Sequence, residues 1–419
     1  MSLVRAEVAV VGAGPAGLSA ACRAAEAGCT VAVLDEGFAE GGQIWRHLVA
    51  PPPAEARPWI ERFRASGAKL LSGAAVFEAS GKEGDWHLAA ERGGKRLDVR
   101  AERLVLASGA RELLLPFPGW TLPGVTGAGG LQALYKGGWK VSGRRVVLAG
   151  SGPLLLAVAS GLAEAGAEIV CVAEQAPGSA LAGFGLRLLA RPGKLLEGIR
   201  YRATLGPRFR TGWWVASAEG KGEAGLTSVA LTDGARTETL RCDALGISYG
   251  LVPNTELARW LGARVTGGAI AADAGQRTSV AGLLAAGEAC GVAGADVALA
   301  EGQLAGLSAA GAAADPAAAA ARDRGRALAS AMARAFALRP EVRRPPPPGT
   351  VVCRCEDVRA EELDASWKVR QAKLYTRVGM GACQGRVCVA ALAAMLGWDA
   401  DTVRSPLKPV PLSVLLSEE

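Results

Sequence analysis

The apolar positions near the start of the chain predict a β-α-β unit. Residues 4–11 form a short apolar run, residues 15–28 have helical spacing, and residues 30–34 form a second apolar run. Short apolar runs next to glycine-rich turns are typical of buried parallel strands, which a helix then connects. The beginning of the chain therefore predicts an α/β fold with a parallel sheet.

The same order of elements returns in residues 145–173. This segment contains an uncharged run, residues 146–163, that is long enough to suggest a membrane span. Gly150 and Pro153 lie near its start. A strand, a tight turn and a buried helix explain those residues better than a helix in lipid, and we expect no direct membrane span.

Other patterns predict the remaining elements. Alternating apolar and polar positions in residues 86–106 predict antiparallel strands, and residues 204–245 have similar strand-rich composition. A helix is predicted from about 296 to 311, and residues 309–335 are rich in alanine and interrupted by Asp315-Pro316. The four prolines at 345–348 predict a stiff linker.

Composition and charge narrow the class of protein. The chain has 419 residues, half of them hydrophobic, which suits two or three domains with sizeable cores. The net charge is +7, but seven arginines fall in residues 322–344, which indicates a local charged stretch and not a nucleic-acid-binding face. No charged segment precedes an apolar signal core, so we expect a cytoplasmic protein, with association to a membrane through partners as an open option.

The turn after the first predicted strand has the pattern of a dinucleotide site. It consists of Gly12, Ala13, Gly14, Pro15, Ala16 and Gly17. Glycines at these three positions allow a tight turn, a close approach to a pyrophosphate, and packing of the helix on the strand. Asp35 ends the next predicted strand, where a carboxylate can bind ribose hydroxyls.

Three further motifs follow in order: Gly41-Gly42-Gln43, Ala107-Ser108-Gly109 and Ala286-Gly287-Glu288. Together with the first glycine motif they resemble the two-dinucleotide-fold flavoproteins, the group that includes thioredoxin reductase. The resemblance implies FAD bound by Gly12, Ala13, Gly14, Pro15, Ala16, Gly17, Asp35, Glu36, Gly42, Gln43, Val76, Ser108, Gly109, Gly287 and Glu288. Arg46 follows the second motif, where it could face a phosphate or a flavin carbonyl, or simply lie on the surface.

The second β-α-β unit carries a weaker motif. Gly150 and Gly152 are present, but Leu155 replaces the third glycine. Glu174 ends the next strand, where it can bind a ribose, and no pair of arginines follows it to bind a 2′-phosphate. The sequence therefore disfavours NADPH and leaves two alternatives: NAD or an adenine nucleotide, or a fold kept for packing.

Four of the nine cysteines lie close together near the C-terminus, at Cys353, Cys355, Cys383 and Cys388. Two pairs of thiolates can ligate two irons, and nearby glycines leave backbone N–H groups available to cluster sulfurs. A [2Fe–2S] cluster is the preferred interpretation, with a structural zinc site or unligated thiols as alternatives. The segment resembles the bacterioferritin-associated-ferredoxin type of [2Fe–2S] domain.

No Cys-x-x-Cys pair occurs in residues 1–340, so disulfide reduction of the thioredoxin-reductase type lacks its thiols. The combination of motifs resembles the α subunits of bacterial heteromeric flavin-dependent amino-acid and amine dehydrogenases. That family includes the A subunit of opine oxidase, D-hydroxyproline dehydrogenase, dye-linked proline dehydrogenase and hydrogen cyanide synthase. The fold class it implies is α/β, with two Rossmann-like FAD/NAD(P)-binding domains and a small C-terminal [2Fe–2S] domain.

The resemblance also implies a function. A partner β subunit of the glycine/D-amino-acid-oxidase type, with its own FAD, would oxidise the substrate. This chain would then relay electrons through FAD and the cluster to a quinone or another acceptor. The resemblance leaves room for a small ferredoxin-like γ subunit. No residue is predicted to be catalytic, since His47 and His87 are more typical of structural or exposed histidines.

Two other functions stay open on the sequence alone. One is an NAD(P)H-dependent flavin oxidoreductase that works without a partner, and the other is a non-catalytic nucleotide-binding scaffold. The expected domains are a discontinuous FAD-binding domain (1–115 and 249–312), a second nucleotide-binding domain (116–248), a helix and linker (313–348), and the [2Fe–2S] domain (349–419).

Overall fold

The computed structural model describes residues 2–189, 191–221, 225–399 and 403–416. The strands are β1 (Ser2–Val11), β2 (Val31–Asp35), β3 (Lys69–Ser72), β4 (Ala75–Lys82), β5 (Asp85–Arg92), β6 (Lys95–Leu106), β7 (Ala110–Glu112), β8 (Val125–Gly127), β9 (Arg145–Gly150), β10 (Glu168–Glu174), β11 (Phe209–Thr211), β12 (Trp214–Gly220), β13 (Leu226–Thr232), β14 (Thr237–Arg241), β15 (Ala244–Ser248), β16 (Leu251–Pro253), β17 (Val265–Thr266), β18 (Ala269–Ile270), β19 (Leu283–Ala285), β20 (Val351–Cys353) and β21 (Val358–Arg359).

The helices are α1 (Pro15–Glu26), α2 (Arg57–Ala65), α3 (Ala128–Lys136), α4 (Leu154–Glu164), α5 (Gly178–Leu188), α6 (Pro192–Leu205), α7 (Glu256–Trp260), α8 (Ala295–Ala309), α9 (Pro316–Ala335), α10 (Val369–Thr376), α11 (Cys388–Leu396) and α12 (Leu412–Leu415). None of the helices in the described residues is both long and apolar enough to cross a membrane.

The chain packs as two compact units. The first contains residues 2–111, 252–329 and 403–416, and the second contains the described parts of 112–251 and 330–399. The domain boundaries expected from the sequence stay predictions, and their residues 1, 190, 222–224, 400–402 and 417–419 lie outside the described part of the chain.

The first unit is built on a seven-stranded sheet in the order β3-β2-β1-β6-β5-β4, with β19 beside β6. Strands β1, β2 and β3 pair in parallel, and β1 and β19 both lie parallel to β6. The strands β4, β5 and β6 form antiparallel pairs, which confirms the prediction for residues 86–106. Their apolar faces are buried because both sides of the sheet are covered.

Helices α1 and α8 cross in backbone contact in this unit. A Cβ added at Gly302 would lie 2.1 Å from the carbonyl oxygen of Ala16, and one added at Gly306 would lie 2.2 Å from that of Ala20. These glycines are four residues apart, so they lie on one face of α8. The close crossing fixes the N-terminus of α1, which follows the first glycine motif.

The second unit contains a parallel five-stranded sheet in the order β11-β10-β9-β15-β8. The uncharged run at 146–163 is divided between β9 and α4, as predicted from its glycines and proline. An antiparallel sheet, β12-β13-β14, supplies the strands predicted between 204 and 245.

The last part of the chain is divided between the two units. Strands β20 and β21 and helices α10 and α11 enclose a small core in the second unit, with Val352, Leu392 and Trp398 buried. In the first unit the backbone N–H of Leu407 donates to the Phe77 carbonyl at 2.7 Å, and Val414 is buried beside Phe77. Residues 403–416 are therefore part of the first unit.

Candidate cofactor sites

The three glycines of the first motif have three different surroundings. A Cβ at Gly12 would lie 2.2 Å from the Ala107 carbonyl oxygen, and one at Gly17 would lie 1.8 Å from the Gly12 carbonyl oxygen. A Cβ at Gly14 would meet open space. Two glycines therefore permit backbone packing, and the third leaves room at the N-terminus of α1, where a pyrophosphate binds in this kind of fold.

Asp35 and Glu36, both predicted to contact the cofactor, have different positions. The Asp35 carboxylate accepts hydrogen bonds from the N–H groups of Ala13 at 2.5 Å and Gly37 at 2.7 Å. Burial raises the pKa of Asp35 above its usual range, although these two N–H groups oppose the rise. Glu36 lies nearer the surface, where its carboxylate pairs with the Lys408 ammonium. Asp35 therefore holds the loop, and Glu36 is the more accessible acid.

The Gly41-Gly42-Gln43 motif packs against the first glycine motif. The Gly41 N–H donates to the Ala13 carbonyl at 2.8 Å, and a Cβ at Gly42 would lie 2.9 Å from the Cα of Gly14. One guanidinium nitrogen of Arg46 donates to the Gln43 side chain at 2.7 Å. The buried Nε of Arg46 has no hydrogen-bond partner among the described residues. A buried donor without an acceptor is costly, so this position suits a bound acceptor group.

The Ala286-Gly287-Glu288 motif also lies at the N-terminus of α1. A Cβ at Gly287 would lie 2.7 Å from the Cβ of Ala16. The Gly287 N–H donates to the buried Glu301 carboxylate at 2.9 Å, and that carboxylate pairs with Arg326 at 2.5 Å. Burial raises the pKa of Glu288. The Glu301–Arg326 pair was not predicted, although a glutamate in the middle of a mostly apolar helix was a visible signal.

Asn254 was not predicted either, and it supports the third motif. Its side-chain amide donates to the Ser108 carbonyl at 2.8 Å, and the Ser108 hydroxyl donates to the Asn254 carbonyl at 2.7 Å. The Asn254 N–H donates to the Gly109 carbonyl at 3.0 Å, and Arg111 donates to its side-chain oxygen at 2.6 Å. Nothing near Asn254 in the sequence indicates this pairing across the fold.

Val76 and the two histidines lie in ordinary structural positions. Val76 is buried in β4, in register with Ala90 of β5. A ring nitrogen of His47 hydrogen-bonds to the Trp45 carbonyl at 2.9 Å. His87 lies 2.8 Å from an Asp98 oxygen across β5 and β6. The structure thus gathers Gly14, Gly42 and Gly287 at the N-terminus of α1. The cofactor contacts assigned to these and to the other site residues stay predictions.

The second glycine motif repeats the first in outline. A Cβ at Gly150 would lie 1.9 Å from the Ser248 carbonyl oxygen, and one at Gly152 would meet open space. The Glu174 carboxylate accepts hydrogen bonds from the N–H groups of Gly152 at 2.7 Å and Ala176 at 2.8 Å, as Asp35 does in the first motif. Burial raises the pKa of Glu174 to about 7.

The first and second glycine motifs differ at the residue that follows the acid, which is Asp35 in the first and Glu174 in the second. In the second motif this residue is Gln175, which is fully buried, and residues 336–339, here called the crossing segment, lie over it. The Ser151 hydroxyl donates to the Phe336 carbonyl at 2.9 Å, and the Gln175 amide donates to the Ala337 carbonyl at 3.2 Å. The crossing segment therefore covers the carboxyl ends of β9 and β10, where nucleotides bind in such sheets.

The four clustered cysteines are brought together from two segments of the chain. The Cys388 thiol donates to the sulfurs of Cys353 and Cys383, and Cys355 donates to Cys383. The hydrogen bond from Cys388 lowers the pKa of Cys353 to about 6 and that of Cys383 to about 4. The same contacts raise the pKa of Cys388.

Backbone N–H groups also point at these sulfurs. Those of Gly379 and Glu356 donate to Cys353, and those of Val387 and Gly385 donate to Cys383. Such hydrogen bonds stabilise thiolates and are common around iron–sulfur clusters. In the described residues, no group of three or more His, Cys, Asp or Glu side chains is arranged to hold a metal ion. The four cysteine sulfurs are suitable ligands for iron or zinc, and in this structure they hydrogen-bond to one another.

The sheets and glycine motifs define a two-dinucleotide-fold oxidoreductase. The sequence profile of the pyridine nucleotide-disulphide oxidoreductase family matches residues 6–302. The chain is 33% identical to the A subunit of opine oxidase from Rhizobium meliloti strain 1021, over 96% of each chain. It is 30% identical to hydrogen cyanide synthase subunit HcnB of Pseudomonas protegens, again over 96% of each.

The solved structure of L-proline dehydrogenase from P. horikoshii is similar in fold. It superimposes with a TM-score of 0.69 and 21% identity, covering 99% of this chain and 80% of that one. The chain belongs to the pyridine nucleotide-disulphide oxidoreductase family, in the branch that contains HcnB and the A subunit of opine oxidase. The predicted fold class and family are thereby confirmed for the flavoprotein part.

Proposed function

We propose that this chain is the electron-transferring subunit of a heteromeric amino-acid, opine or amine dehydrogenase. Its relatives carry the word subunit in their names, and they align with it over almost their whole length. The observation that carries the proposal is the convergence of four cysteine thiols in a chain that also has an open glycine loop for a dinucleotide.

FAD is the cofactor we assign to the first unit. Gly14 leaves open space at the N-terminus of α1, where Gly42 and Gly287 pack closely around the loop, and the unpartnered Arg46 Nε offers a donor. Glu36 would take the ribose, since the Asp35 carboxylate is occupied by backbone N–H groups. Bound FAD would accept an electron pair and release single electrons.

A [2Fe–2S] cluster is the group we assign to the four cysteines. Two pairs of thiolates satisfy two irons, and the N–H groups of Gly379 and Gly385 lie where they would stabilise sulfur charge. A zinc site of four cysteines is the alternative for the same donor set. The difference matters because zinc has no redox chemistry and would end electron transfer here.

The partner we propose is an FAD-containing subunit that oxidises the substrate, of the glycine/D-amino-acid-oxidase type. This chain supplies no proposed acid or base for that step, since His47 and His87 are engaged with Trp45 and Asp98. Electrons would leave to a quinone or another acceptor. A small ferredoxin-like γ subunit is compatible with this arrangement.

An NAD(P)H-dependent flavin oxidoreductase is the second candidate function, and the family name favours it. The crossing segment argues against NAD(P)H binding in the second unit. Ser151 and Gln175, beside the second glycine motif, donate hydrogen bonds to the carbonyls of residues 336 and 337, respectively. Glu174 is likewise buried and bonded to backbone N–H groups. We therefore assign the second nucleotide-binding fold to packing, in preference to NAD or an adenine nucleotide.

The test is to purify the chain together with its substrate-oxidising partner under anaerobic conditions. Substrate added to the complex should bleach the flavin and reduce an iron–sulfur chromophore, whereas NADH should do neither at a comparable rate. Cys355→Ala should abolish reduction of an external acceptor but leave single-turnover reduction of the partner's flavin by substrate intact. Rapid reduction of the isolated chain by NADH would support the second candidate.

A further inference from the structure

Helices α5 and α6 of the second unit expose an unusual amount of aliphatic surface. The sequence of α5 is mostly Ala, Gly and Leu, yet none of its residues is buried. Amphipathic helices of globular proteins normally bury their apolar side chains against a core. An apolar helix with no buried residue therefore indicates that something else covers it.

Four large aliphatic side chains form the centre of this surface. Leu186, near the end of α5, and Leu189, the residue that follows the helix, are 70% and 64% exposed. Leu196 and Ile199, in α6, are 60% and 54% exposed. Each pair is spaced by three residues, so its two members lie on one face of a helical turn. The two helices follow each other directly in sequence and pack together.

Basic residues accompany these side chains. Residues 186–202 contain five basic residues and one acidic residue, for a net charge of +4. Arg187 and Arg200 are exposed next to Leu186 and Ile199. The surface therefore combines exposed aliphatic groups with positive charge, which is the pattern of helices that lie in the interface of an anionic membrane.

We propose that the α5–α6 surface docks on the headgroups of an anionic lipid bilayer. Leucine and isoleucine would enter the acyl boundary, and the arginines would contact lipid phosphates. Protein interfaces instead concentrate Trp and Tyr, and leucine is under-represented among their strongly contributing residues. The charge of the surface complements an anionic bilayer. This inference goes beyond the proposed function and does not depend on either cofactor.

The experiment is sedimentation of the purified full-length chain with vesicles. The vesicles are made of phosphatidylcholine alone or of phosphatidylcholine with phosphatidylglycerol. The chain should sediment with the phosphatidylglycerol vesicles, and about 0.5 M salt should release most of it because the charges are then screened. Binding that does not depend on phosphatidylglycerol or on salt would overturn the proposal.

Substitutions in the α5–α6 surface test whether this surface is the one that binds the vesicles. Leu196→Ser with Ile199→Ser should weaken partition into the vesicles by about tenfold or more, because aliphatic burial is lost. Arg187→Glu with Arg200→Glu should do the same through charge. The control is Leu412→Ser with Leu416→Ser, which removes two equally exposed leucines from a segment, 409–416, that has no charged residue.

The control pair should bind like the wild type. Circular dichroism confirms that each variant is folded, and the salt and lipid dependence of the unaltered chain tests the proposal without any variant. If the α5–α6 variants bind vesicles normally but lose co-purification with the partner subunit, the surface is a protein interface and the lipid proposal is wrong.

Discussion

The backbone N–H of Arg339 donates a hydrogen bond to the Oε1 of Gln175 at 3.0 Å. Gln175 is fully buried and follows Glu174 at the end of β10. In the first unit, the residue in the equivalent position is Glu36, whose carboxylate lies near the surface beside Lys408. The two nucleotide-binding folds of one chain thus share a glycine loop and differ in whether the residue after the acid is accessible.

Gln175→Ala should destabilise the second unit. The side chain accepts from Arg339 and donates to Ser151 and to the Ala337 carbonyl, and its removal leaves buried groups without partners. We expect a loss of about 1–3 kcal/mol in the free energy of unfolding, measured by denaturant titration. Gln371→Ala, at an exposed position, should cost less. Equal losses for both variants would contradict this account of the crossing segment.

Gly14→Ala should separate cofactor binding from folding. A Cβ at Gly14 meets open space in the protein, so the variant should fold, but the methyl group would lie where the pyrophosphate approaches. We expect flavin affinity to fall about tenfold or more, measured by the flavin retained after gel filtration. Gly161→Ala, in α4 and also with free space, is the control and should keep its flavin. Full flavin retention in Gly14→Ala would place the cofactor elsewhere.

Arg326→Ala should be among the most destabilising single changes in the first unit. Arg326 pairs with the buried Glu301 carboxylate, which also accepts from the Gly287 N–H. Removing one partner leaves a buried charge uncompensated, at a cost of roughly 3–5 kcal/mol. Arg236→Ala, which breaks a surface pair with Asp233, should change the free energy of unfolding far less, because solvent screens that pair. Thermal unfolding of both variants measures the contrast.

Glu174 should make stability depend on pH. Burial raises its pKa to about 7 from an ordinary value of 4.5, so between these values the folded state holds a proton that the unfolded state has released. The folded state then binds more protons, and stability falls as pH rises through this window. Below this pH window the Glu174 carboxyl is protonated in both the folded and the unfolded state, and above it the carboxyl is ionised in both.

Glu174→Gln removes the titrating group. Its unfolding free energy should change less between pH 4.5 and pH 7 than that of the wild type, by on the order of 2–3 kcal/mol. Denaturant titrations at several pH values measure this difference. Glu219→Gln, at an exposed position, is the control and should follow the wild type. Parallel curves for wild type and Glu174→Gln would show that folding does not raise the pKa of this carboxyl.

The sequence predicted the features that depend on local pattern. The two β-α-β units follow from short apolar runs around Gly12 and Gly150, and the close packing at Gly17 follows from the spacing of the motif. The helix predicted from about 296 to 311 is α8, at Ala295–Ala309. Local spacing is sufficient here because each motif lies at one turn between a strand and a helix.

The features that the sequence did not predict depend on distant parts of the chain. Gln175 meets residues 337 and 339, and Arg326 meets Glu301, only after the sheets have formed. Helices α5 and α6 were not predicted, because their glycines and scattered leucines lack a clear amphipathic spacing. The packing of residues 403–416 in the first unit had no signal next to the cysteine motif.

The proposed path for electrons in this chain runs through a flavin and an iron–sulfur cluster. The most direct measurement is the iron, zinc and acid-labile sulfide content of the anaerobically purified full-length chain, with electron paramagnetic resonance after reduction. We predict two irons and two sulfides per chain and a signal of a reduced [2Fe–2S] cluster, all lost in Cys383→Ala and retained in Cys242→Ala. Stoichiometric zinc without sulfide, or metal-free protein with free thiols, would rule out this path for electrons.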